Sequence, residues 1–595
     1  MNVSELIFDF FHKKGIDTVF MVTGGQAMWL NDAVGKNGHY QIICTHHEQS
    51  ATMSADAYGR IKNKPAIAMV TAGPGSVNAM NGVVGGYLDS SPMIVISGQS
   101  ALSFVKYQED TDIRQFGVQG INIKPLVEKV VKYFITIDDA QKTMYYLEKA
   151  YHEATTGRPG PVWIDVPLDI QNTQVNLKFM KQYFPEKTSV DNVSVRYAVE
   201  KAYQIIAEAK RPLIIAGQGV SLAHAREEFL TFVSKMRIPV ITSRLGIDLI
   251  ESDNELYVGR PGNYGERSAN FAIQNADFIL SIGCRLASAL VGHNPRQFGK
   301  NAYIYAVDID EKELNKPGAK IDFKVLSDGK VFLTEMLKQL EDKEILPQFD
   351  SWVQRCNEWK RKYPVVQESY RTEIPVNSYY FIDQLSKVAD SKANILVDTG
   401  SCFHVACQTW KIKKGQKFLT TGGLSSMGYW VAGIGACLAN DGGETIVITG
   451  DGSLQMNIQE FATIKHNNLP IKVFILNNNG YLLIRHTQHN FMEDRFIGES
   501  PSTGVWCPDA MKIADSYEIK KVRISTVDEI PDKLNEVMQH HGPVICEVMT
   551  PQWQLLIPRV SSEKLPDGTL KSRDYEDMFP YLSPEELAEN MRNKD

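Results

Sequence analysis

The chain lacks several features that would place it outside the class of globular enzymes. No apolar run reaches about 18 residues, the length that a membrane-spanning helix needs, and the N-terminal segment has neither the regions nor the cleavage site of a signal peptide. The formal net charge of -7 is spread thinly without a basic block, which argues against nucleic acid as the main partner. The eight cysteines include no C-x-x-C pair, so we expect reduced, packed thiols. We therefore expect a cytoplasmic protein without a membrane span.

Length and strand pattern together predict three α/β domains. A chain of 595 residues is too long for one hydrophobic core and should divide into about three or four domains of roughly 150 residues. Short runs rich in Val and Ile alternate with helical patterns in three successive blocks, which is typical of βαβ units around parallel sheets. We place doubly wound parallel-sheet domains at residues 1–183, 190–345 and 365–550. A tail at 551–595 is then either a lid or a packing arm.

Two turns in the third block give the first indication of function. The segment ETIVITGDGS places Asp451 after a strand, between Gly450 and Gly452, which permit close approach of a diphosphate and a tight turn into a helix. The next strand, IKVFILNNNG, delivers Asn477 and Asn478 to the same edge of the sheet. Carboxylate, amide and carbonyl oxygens suit magnesium. The alternative is that Asp451 only caps a helix and the asparagines only form a turn.

The spacing of these turns resembles the GDG-to-NN motif of thiamine diphosphate enzymes, because Asn478 follows Asp451 by 27 residues on the next strand. In that motif Asp451 and Asn478 would supply side-chain ligands to magnesium. The main-chain carbonyl of Gly480 would be the third protein ligand.

Glu48 in the first block meets a second requirement of this cofactor. Thiamine diphosphate becomes reactive when its C2 proton is lost, and its own aminopyrimidine removes that proton once a carboxylic acid engages N1′. The segment QIICTHHEQS places Glu48 after a strand, at the start of a helix. The alternative is an acid that only complements the helix dipole. His46 and His47 are interpreted as neighbouring or packing histidines.

Longer motifs resemble the acetolactate synthase branch of the thiamine diphosphate superfamily. They are THHEQSATMSADAYGR, VTAGPGSVNAMNGV, YLDSSPMIVISGQ and TTGRPGPVWIDVP, with ADFILSIGCR and GGLSSMGYWVAGIGA later in the chain, and they cover roughly residues 1–550. The resemblance implies pyrimidine-binding, central and diphosphate-binding domains. It also implies a homodimer or homotetramer with active sites shared between subunits, in which Glu48 faces Asp451 of the partner subunit.

The resemblance also implies roles for individual residues of the site. Met427 would bend the cofactor into its V shape, and the carbonyl of Ser425 would accept from its 4′-amino group. Gln119 and Lys132, spaced by 13, match a Gln and a Lys that line the entrance to the thiazolium, although a Lys there is otherwise a solvated surface residue.

Other implied cofactor contacts surround the diphosphate and the pyrimidine. Ser401 and Cys402 occupy the Gln-His positions of the family near the diphosphate, and His404 follows close behind. The remaining implied contacts are Gly24, Gly25, Pro74, Asn78, Ser453, Tyr481 and Leu482.

The acceptor site departs from the family pattern. Acetolactate synthases hold the carboxylate of a second 2-oxo acid with the last Arg of an R-F-D-D-R segment, which here runs from Arg285 to Ala289 as RLASA. A hydrogen bond between charged groups is worth about 1.5–3 kcal/mol, so Ala289 predicts that an acceptor carboxylate is poorly held. Thr487 likewise stands where branched-chain synthases use Trp to favour larger acceptors.

We therefore expect thiamine diphosphate- and magnesium-dependent decarboxylation of a 2-oxo acid such as pyruvate, with transfer of the acyl carbanion to an aldehyde or ketone. The tail resembles those of bacterial members linked to surface-polysaccharide synthesis, which makes a keto-sugar nucleotide one such acceptor. The alternatives are acetolactate synthase itself, and a 2-oxo acid decarboxylase or carbon-carbon hydrolase. A non-catalytic protein of the same fold is a further alternative, against which Glu48 and Asp451 argue.

The central domain is a candidate site for FAD. Acetolactate synthases hold FAD there, and five residues match positions that touch it: Gly217, Gly219, Arg285, Asp308 and Asp328. A G-x-G after a strand is by itself often only a turn. If FAD is bound, the resemblance implies a structural role without redox chemistry.

Overall fold

The computed structural model describes residues 1–186, 192–341, 343–564, 567 and 569–592. Residue 190, where the sequence places the start of the second domain, lies outside these ranges, as do residues 593–595. Three parallel six-stranded sheets confirm the expected α/β class. Among the described residues, no helix has the length and apolar character that a membrane crossing requires.

The first sheet has the strand order β2-β1-β3-β4-β6-β5, and all its pairs are parallel. Its strands are β1 Thr18–Met21, β2 Gln41–Cys44, β3 Ala66–Val70, β4 Met93–Gln99, β5 Tyr133–Thr136 and β6 Pro161–Pro167. Its helices are α1 Val3–Lys13, α2 Met28–Asn37, α3 Glu48–Lys62, α4 Pro74–Leu88, α5 Leu102–Thr111, α6 Lys124–Val127, α7 Thr143–Thr155 and α8 Leu168–Gln171. Every residue of β3, β4 and β6 is buried, because helices cover both faces.

The second sheet has the order β12-β11-β10-β7-β8-β9, also parallel throughout. Its strands are β7 Pro212–Ala216, β8 Val240–Thr242, β9 Tyr257–Gly259, β10 Phe278–Ile282, β11 Tyr303–Asp308 and β12 Phe323–Leu326. Its helices are α9 Asn192–Glu208, α10 Gly219–Leu222, α11 Arg226–Met236, α12 Arg267–Asn275, α13 Ser288–Val291, α14 Glu311–Asn315, α15 Gly329–Glu341 and α16 Asp350–Lys362. The direction of winding reverses between β7 and β10, where dinucleotides bind in sheets of this order.

The third sheet, β14-β13-β15-β16-β18-β17, repeats the strand order of the first. Its strands are β13 Asn394–Val397, β14 Lys417–Thr420, β15 Thr445–Gly450, β16 Ile471–Asn477, β17 Lys520–Ile524 and β18 Val544–Met549. Its helices are α17 Ser378–Val388, α18 Ser401–Thr409, α19 Gly433–Ala439, α20 Asp451–Leu454, α21 Glu460–His466, α22 Leu482–Phe491, α23 Ala510–Ser516 and α24 Ile530–Gln539.

The first and third domains share one hydrophobic core, in which α3 packs against α19. The two helices approach so closely that a Cβ on Gly435 would lie 1.9 Å from the carbonyl oxygen of Ser54. Arg60 donates to the carbonyl of Thr420 at 2.7 Å, and the hydroxyl of Tyr429 donates to Asp56. These contacts fix the first and third domains relative to each other.

The described part of the tail packs on the second domain. It contains β19 Arg559–Val560, β20 Ser562–Lys564, β21 Leu570–Ser572, β22 Met578–Phe579 and α25 Pro584–Met591. Tyr575 is buried and donates to the carbonyl of Leu290 at 2.5 Å, while the Trp359 indole donates to Asn590 at 3.0 Å. Of the two alternatives, these contacts favour a packing arm.

Candidate active site

The two turns singled out in the third block meet at the carboxyl edge of the third sheet. Strand β15 ends at Gly450 and α20 begins at Asp451, while the neighbouring strand β16 ends at Asn477. The Oδ2 atom of Asp451 accepts a hydrogen bond from the main-chain N–H of Gly480 at 2.8 Å. The structure therefore brings Asp451 together with the loop that carries Asn478 and Gly480.

Two buried oxygen atoms at this junction have no hydrogen-bond donor among the described residues. They are Oδ1 of Asp451 and Oδ1 of Asn478, and each residue is only 4% exposed. Burial raises the pKa of Asp451 to about 6 despite the hydrogen bond from Gly480, because the charged form of a carboxylate is costly away from water. Buried polar oxygens are almost always paired in folded proteins. This pair of oxygens therefore fits a divalent cation of the magnesium type.

Glycines allow the main chain to close around this junction. Gly480 has φ +128°, and a Cβ there would lie 2.0 Å from the carbonyl oxygen of Glu499. A Cβ on Gly452 would lie 2.2 Å from the ring of Tyr481. Leu482, the first residue of α22, is buried. A side chain at Gly452 would push the two turns apart, and a side chain at Gly480 would push the second turn away from Glu499.

Asp398, which the sequence analysis did not single out, organises the neighbouring segment. It follows β13 and is fully buried, and it accepts hydrogen bonds from Ser453 Oγ at 2.6 Å and Thr449 Oγ1 at 2.9 Å. Ser453 in turn accepts from the N–H of Gly428 at 2.8 Å. Its signal in the sequence was an acid at the end of the strand ILVD, next to the point where the strand order reverses.

The segment of Ser425 and Met427 lies between β14 and α19, beside the GDG turn. Ser425 is exposed with φ +57°, and Met427 is half-buried. The amide of Asn457 donates to the carbonyl of Gly428 at 3.2 Å, which holds the end of this segment to the loop after α20. The backbone of Ser425 is thus held in a conformation that favours glycine.

Of the two residues predicted to lie near the diphosphate, Ser401 lies at the site and Cys402 lies in the core. Ser401 begins α18, and its Oγ lies 3.5 Å from the amide nitrogen of Asn478. Cys402 is buried in the hydrophobic core, with its Sγ directed at the carbonyl of Thr399 at 3.1 Å. Only the main chain of Cys402 remains for a contact with a ligand, because its side chain belongs to the core.

Glu48 begins α3 at the carboxyl edge of the first sheet. Its side chain is buried between α3 and α4, where Asn78 Nδ2 donates to Glu48 Oε2 at 3.0 Å. A Cβ on Gly75 would lie 3.2 Å from Glu48 Oε1, so the chain after Pro74 leaves room for this carboxyl group. His47 caps the helix by accepting from the N–H of Gln49 at 3.1 Å.

Glu460 ties the loop of Glu48 to the third domain. It is fully buried on α21 and accepts the main-chain N–H of His46 at 3.0 Å. The sequence analysis missed Glu460, whose signal was an acid in the otherwise apolar start of the helix EFATI. The main chain of His46 therefore joins the loop before Glu48 to the third domain.

Gln119 and the two glycines after β1 lie at the same edge as Glu48. A Cβ on Gly73 would lie 2.6 Å from the carbonyl oxygen of Gln119, and Gly73 immediately precedes α4. A Cβ on Gly24 would meet Thr71, which follows β3, at 2.4 Å, whereas Gly25 has open space. The structure therefore gathers Gly24, Gly25 and Gln119 around the turn that also bears Pro74.

Family models of known proteins match all three domains. The N-terminal TPP binding domain of thiamine pyrophosphate (diphosphate) enzymes matches residues 1–116, their central domain 199–336 and their C-terminal TPP binding domain 398–548. A probable acetolactate synthase large subunit of Methanococcus aeolicus is 31% identical over 570 residues, covering 92% of each chain. The acetolactate synthase large subunit of Lactococcus lactis is 30% identical over 564 residues, covering 94% of each. The chain belongs to the acetolactate synthase family of thiamine pyrophosphate enzymes. It is accordingly an acetolactate synthase-like carboligase.

The structure does not place Lys132 where the family resemblance implied. Lys132 N–H donates to the carbonyl of Pro161, the first residue of β6, so Lys132 lies at the amino edge of the sheet, opposite Glu48. Its ammonium donates to the carbonyl of Thr156 at 2.8 Å and to that of Glu153, at the end of α7. Burial lowers its pKa. Within this chain Lys132 caps a helix, and its spacing from Gln119 was misleading.

The central domain of this acetolactate synthase-like chain contains a deep cleft at the carboxyl edge of its sheet. About 1090 Å³ of space, including its open mouth, lies among residues that follow β7, β8, β10, β11 and β12. Gly219, Arg285, Asp308 and Asp328 line it. Gly217 lies beside it, where a Cβ would fall 2.1 Å from the carbonyl oxygen of Gly283. The five residues matched to FAD positions therefore converge on one cleft at the reversal of strand order.

The segment that departs from the family pattern also borders this cleft. Ala289 lines the cleft, and Arg285 is held by Glu313 Oε1 at 3.1 Å and by the carbonyl of Leu88 at 2.8 Å. Thr487 is exposed on α22, where its hydroxyl donates to the carbonyl of Leu483. Arg285 is therefore neutralised by Glu313, and Thr487 carries no charge.

Proposed function

We propose that this protein uses magnesium and thiamine pyrophosphate to decarboxylate a 2-oxo acid, pyruvate in the first instance, and to transfer the acyl group to an aldehyde or ketone. The observation that carries the metal-dependent part is the pair of buried, unpartnered oxygens on Asp451 and Asn478. These atoms, with the carbonyl of Gly480, would hold the metal. When bound, thiamine pyrophosphate supplies the carbon nucleophile and the electron sink for decarboxylation.

The residues of the chain have separate tasks in this reaction. Glu48 would hold a proton at N1′ of the aminopyrimidine, and Asn78 keeps its carboxyl group in place at 3.0 Å. Met427 and the carbonyl of Ser425 would fix the orientation of the cofactor, as the family resemblance implies. The glycines on the first sheet would admit the pyrimidine close to the main chain, and Gln119 would lie beside the reacting carbon.

A homodimer or homotetramer with shared sites is part of the proposal. Exposed apolar side chains stand next to predicted cofactor residues on both sheets: Val77 beside Asn78, Val118 beside Gln119, and Leu424 beside Ser425 are 42%, 75% and 36% exposed. A second copy would cover these side chains and bring the Glu48 edge of one subunit to the Asp451 edge of the other.

FAD is proposed as a structural occupant of the central cleft. The strand order of the sheet, the close main-chain approach at Gly217 and Gly219, and the acids Asp308 and Asp328 support a dinucleotide there. Flavin released by denaturing the purified protein would test this part, and its absence from protein reconstituted with excess FAD would refute it.

The identity of the acceptor substrate distinguishes two candidate functions. Ala289 favours an acceptor other than a second 2-oxo acid, and a keto-sugar nucleotide belongs to the acceptors to test. Acetolactate synthesis is the second candidate, favoured by the names of the relatives. Purified protein is incubated with thiamine pyrophosphate, magnesium and pyruvate, with and without aldehydes and keto-sugar nucleotides, and CO2 and products are followed by mass spectrometry. Acetolactate as main product would support the second candidate, and no CO2 release from any 2-oxo acid would refute both.

A further inference from the structure

Three arginines line the central cleft, and two of them are neutralised by the protein. Arg158 donates to Asp310 at 2.8 Å and to Glu313 at 3.0 Å, and Arg285 shares Glu313. The third is Arg244, which follows β8. No carboxylate or carbonyl oxygen among the described residues accepts a hydrogen bond from its guanidinium.

The surroundings of Arg244 are mainly aromatic, and no carboxylate of the described residues contacts its guanidinium. Its guanidinium carbon lies 5.0 Å from the centre of the Phe403 ring. Burial lowers the pKa of Arg244, and its titratable neighbours are Cys407, Tyr264, Tyr575 and His404. A largely buried cation without a partner is costly, and proteins normally pair such a group or direct it at a ligand. The side chain is instead turned to the cleft, where an anionic ligand would complete it.

Arg244 stands where the cleft meets the cofactor site. Phe403 is two residues beyond Ser401, whose hydroxyl lies 3.5 Å from the Asn478 amide. Gly422 lines the same cleft and is three residues before Ser425. Ala289 lines it as well. The one unpaired arginine of the cleft therefore lies at its junction with the third domain, in the cavity that has lost the family's acceptor cation.

The two ends of the cleft have opposite character. Asp308 ends β11, and Arg244 follows β8, three strand spacings away in the sheet order, which is about 14 Å. Acids near such a strand end suit the ribose of a nucleotide, whereas Arg244 suits an oxyanion. A dinucleotide at the acidic end and an anionic group at Arg244 therefore use different parts of the cleft.

We propose that Arg244 binds an oxyanion of the acceptor substrate, either a carboxylate or a phosphate, at the junction of the central cleft and the cofactor site. This assignment rests on the proposed carboligation and narrows its acceptor to anionic carbonyl compounds. If the acceptor is a second 2-oxo acid, Arg244 would stand in for the cation missing at position 289. If the acceptor is a phosphorylated aldehyde or ketone, as Ala289 favours, Arg244 would bind its phosphate.

Matched acceptors and variants test this assignment in the full-length protein loaded with thiamine pyrophosphate and magnesium. Pyruvate is the donor, and the acceptor pairs are 2-oxobutanoate with its methyl ester and glycolaldehyde phosphate with glycolaldehyde. Arg244→Gln is expected to lower kcat/KM about 10- to 100-fold for the anionic member that the native protein uses, and less than about 3-fold for the neutral member. Arg244→Lys should retain part of the preference, because it keeps the charge but not the planar fork. The control is Arg226→Gln, which removes an arginine of the same domain that pairs with Glu251 outside the cleft.

The two acceptor pairs distinguish a carboxylate from a phosphate. Equal losses for charged and neutral acceptors, or no loss, would overturn the assignment. Loss of FAD from Arg244→Gln with an unchanged preference for charge would also overturn it, since Arg244 would then serve the flavin. Calorimetric binding of 2-oxobutanoate and glycolaldehyde phosphate provides a readout without turnover. If the native protein releases no CO2, the proposed reaction fails, and the anion site is then judged by binding only. Weaker binding of these anions to Arg244→Gln than to Arg226→Gln would support the site, whereas unchanged binding would overturn it.

Discussion

Arg485 holds the loop that is proposed to bind magnesium, although it donates to none of the three oxygen atoms proposed as metal ligands. It is only 3% exposed on α22 and donates to the carbonyls of Asn478 at 3.3 Å and Asn479 at 3.0 Å. It also pairs with Glu499 at 2.6 Å and donates to the carbonyl of Gln552 at 2.5 Å. One guanidinium thus joins the metal loop to two other segments, and we infer that it is a positioning residue.

Replacement of Arg485 by Met would have two separable effects. Removing one partner of a buried ion pair costs about 3–5 kcal/mol of folding free energy, because Glu499 is left buried and unpaired. Losing a group that orients metal ligands weakens metal binding by about 10- to 100-fold. A second variant, Arg485→Met with Glu499→Gln, removes the unpaired charge. It should recover much of the folding free energy and little of the magnesium affinity.

Magnesium titration by calorimetry in the presence of thiamine pyrophosphate measures the second effect, and thermal melting measures the first. Arg495→Met is the matched control, because Arg495 lies in the same region but its side chain is 69% exposed and pairs with the exposed Glu493. A folded Arg485→Met protein that binds magnesium with the native dissociation constant would refute the inference. So would full recovery of magnesium affinity in the double variant.

Three further outcomes are expected. Glu48→Gln should abolish hydrogen-deuterium exchange at C2 of the bound cofactor while leaving cofactor affinity within about 3-fold, and unchanged exchange would contradict the role of Glu48. Lys132→Met should lower the melting temperature, because two carbonyls at the end of α7 lose their hydrogen-bond donor at a cost of about 1–3 kcal/mol of folding free energy. Its kcat/KM should stay within about 3-fold of the native value. A large loss of kcat at an unchanged melting temperature would instead support a catalytic role for Lys132. Burial and the charge of Arg244 lower the pKa of His404 to about 3. Below about pH 6.5, His404 is therefore protonated in the unfolded chain but stays neutral in the folded chain. Stability is therefore lost as pH falls below about 6.5, by about 1–2 kcal/mol at pH 5. His404→Phe should reduce the drop in melting temperature between pH 7 and pH 5, and an equal drop in both proteins would refute this account.

Strand pattern and turn chemistry were sufficient to predict the three parallel sheets. Runs such as AIAMV and TIVIT are buried on both faces, so their composition alone indicates strands of covered parallel sheets. The position of Asp451 followed from the same reasoning, since a polar residue directly after such a strand lies at the carboxyl edge. These features depend on neighbouring residues in the sequence, and they were accessible for that reason.

Lys132, Asp398 and Arg244 show where sequence reasoning stopped. Lys132 has the family spacing from Gln119, but it directly precedes β5 and pairs with the first residue of β6, which places it at the amino edge of the sheet. Asp398 and Arg244 depend on what packs against them from distant segments, such as Ser453 for one and Phe403 for the other. Partners so far apart along the chain leave no periodic signal.

The first and third sheets have the same strand order, yet only the third carries the proposed metal site. In both, the turn after the third strand of the unit is rich in glycine: Gly73, Pro74 and Gly75 after β3, and Gly450, Asp451 and Gly452 at the end of β15. Pro74 has no side-chain oxygen and no N–H, whereas Asp451 offers a carboxylate whose second oxygen has no partner among the described residues. In the first sheet the acid comes from Glu48, after the second strand, and the glycines leave space for it. Under the proposed function, one strand order would thus supply a proton-holding acid in one sheet and a cation site in the other. Since each edge would provide only half of what a diphosphate cofactor with a basic ring requires, we infer that the reaction depends on bringing an edge of each kind together.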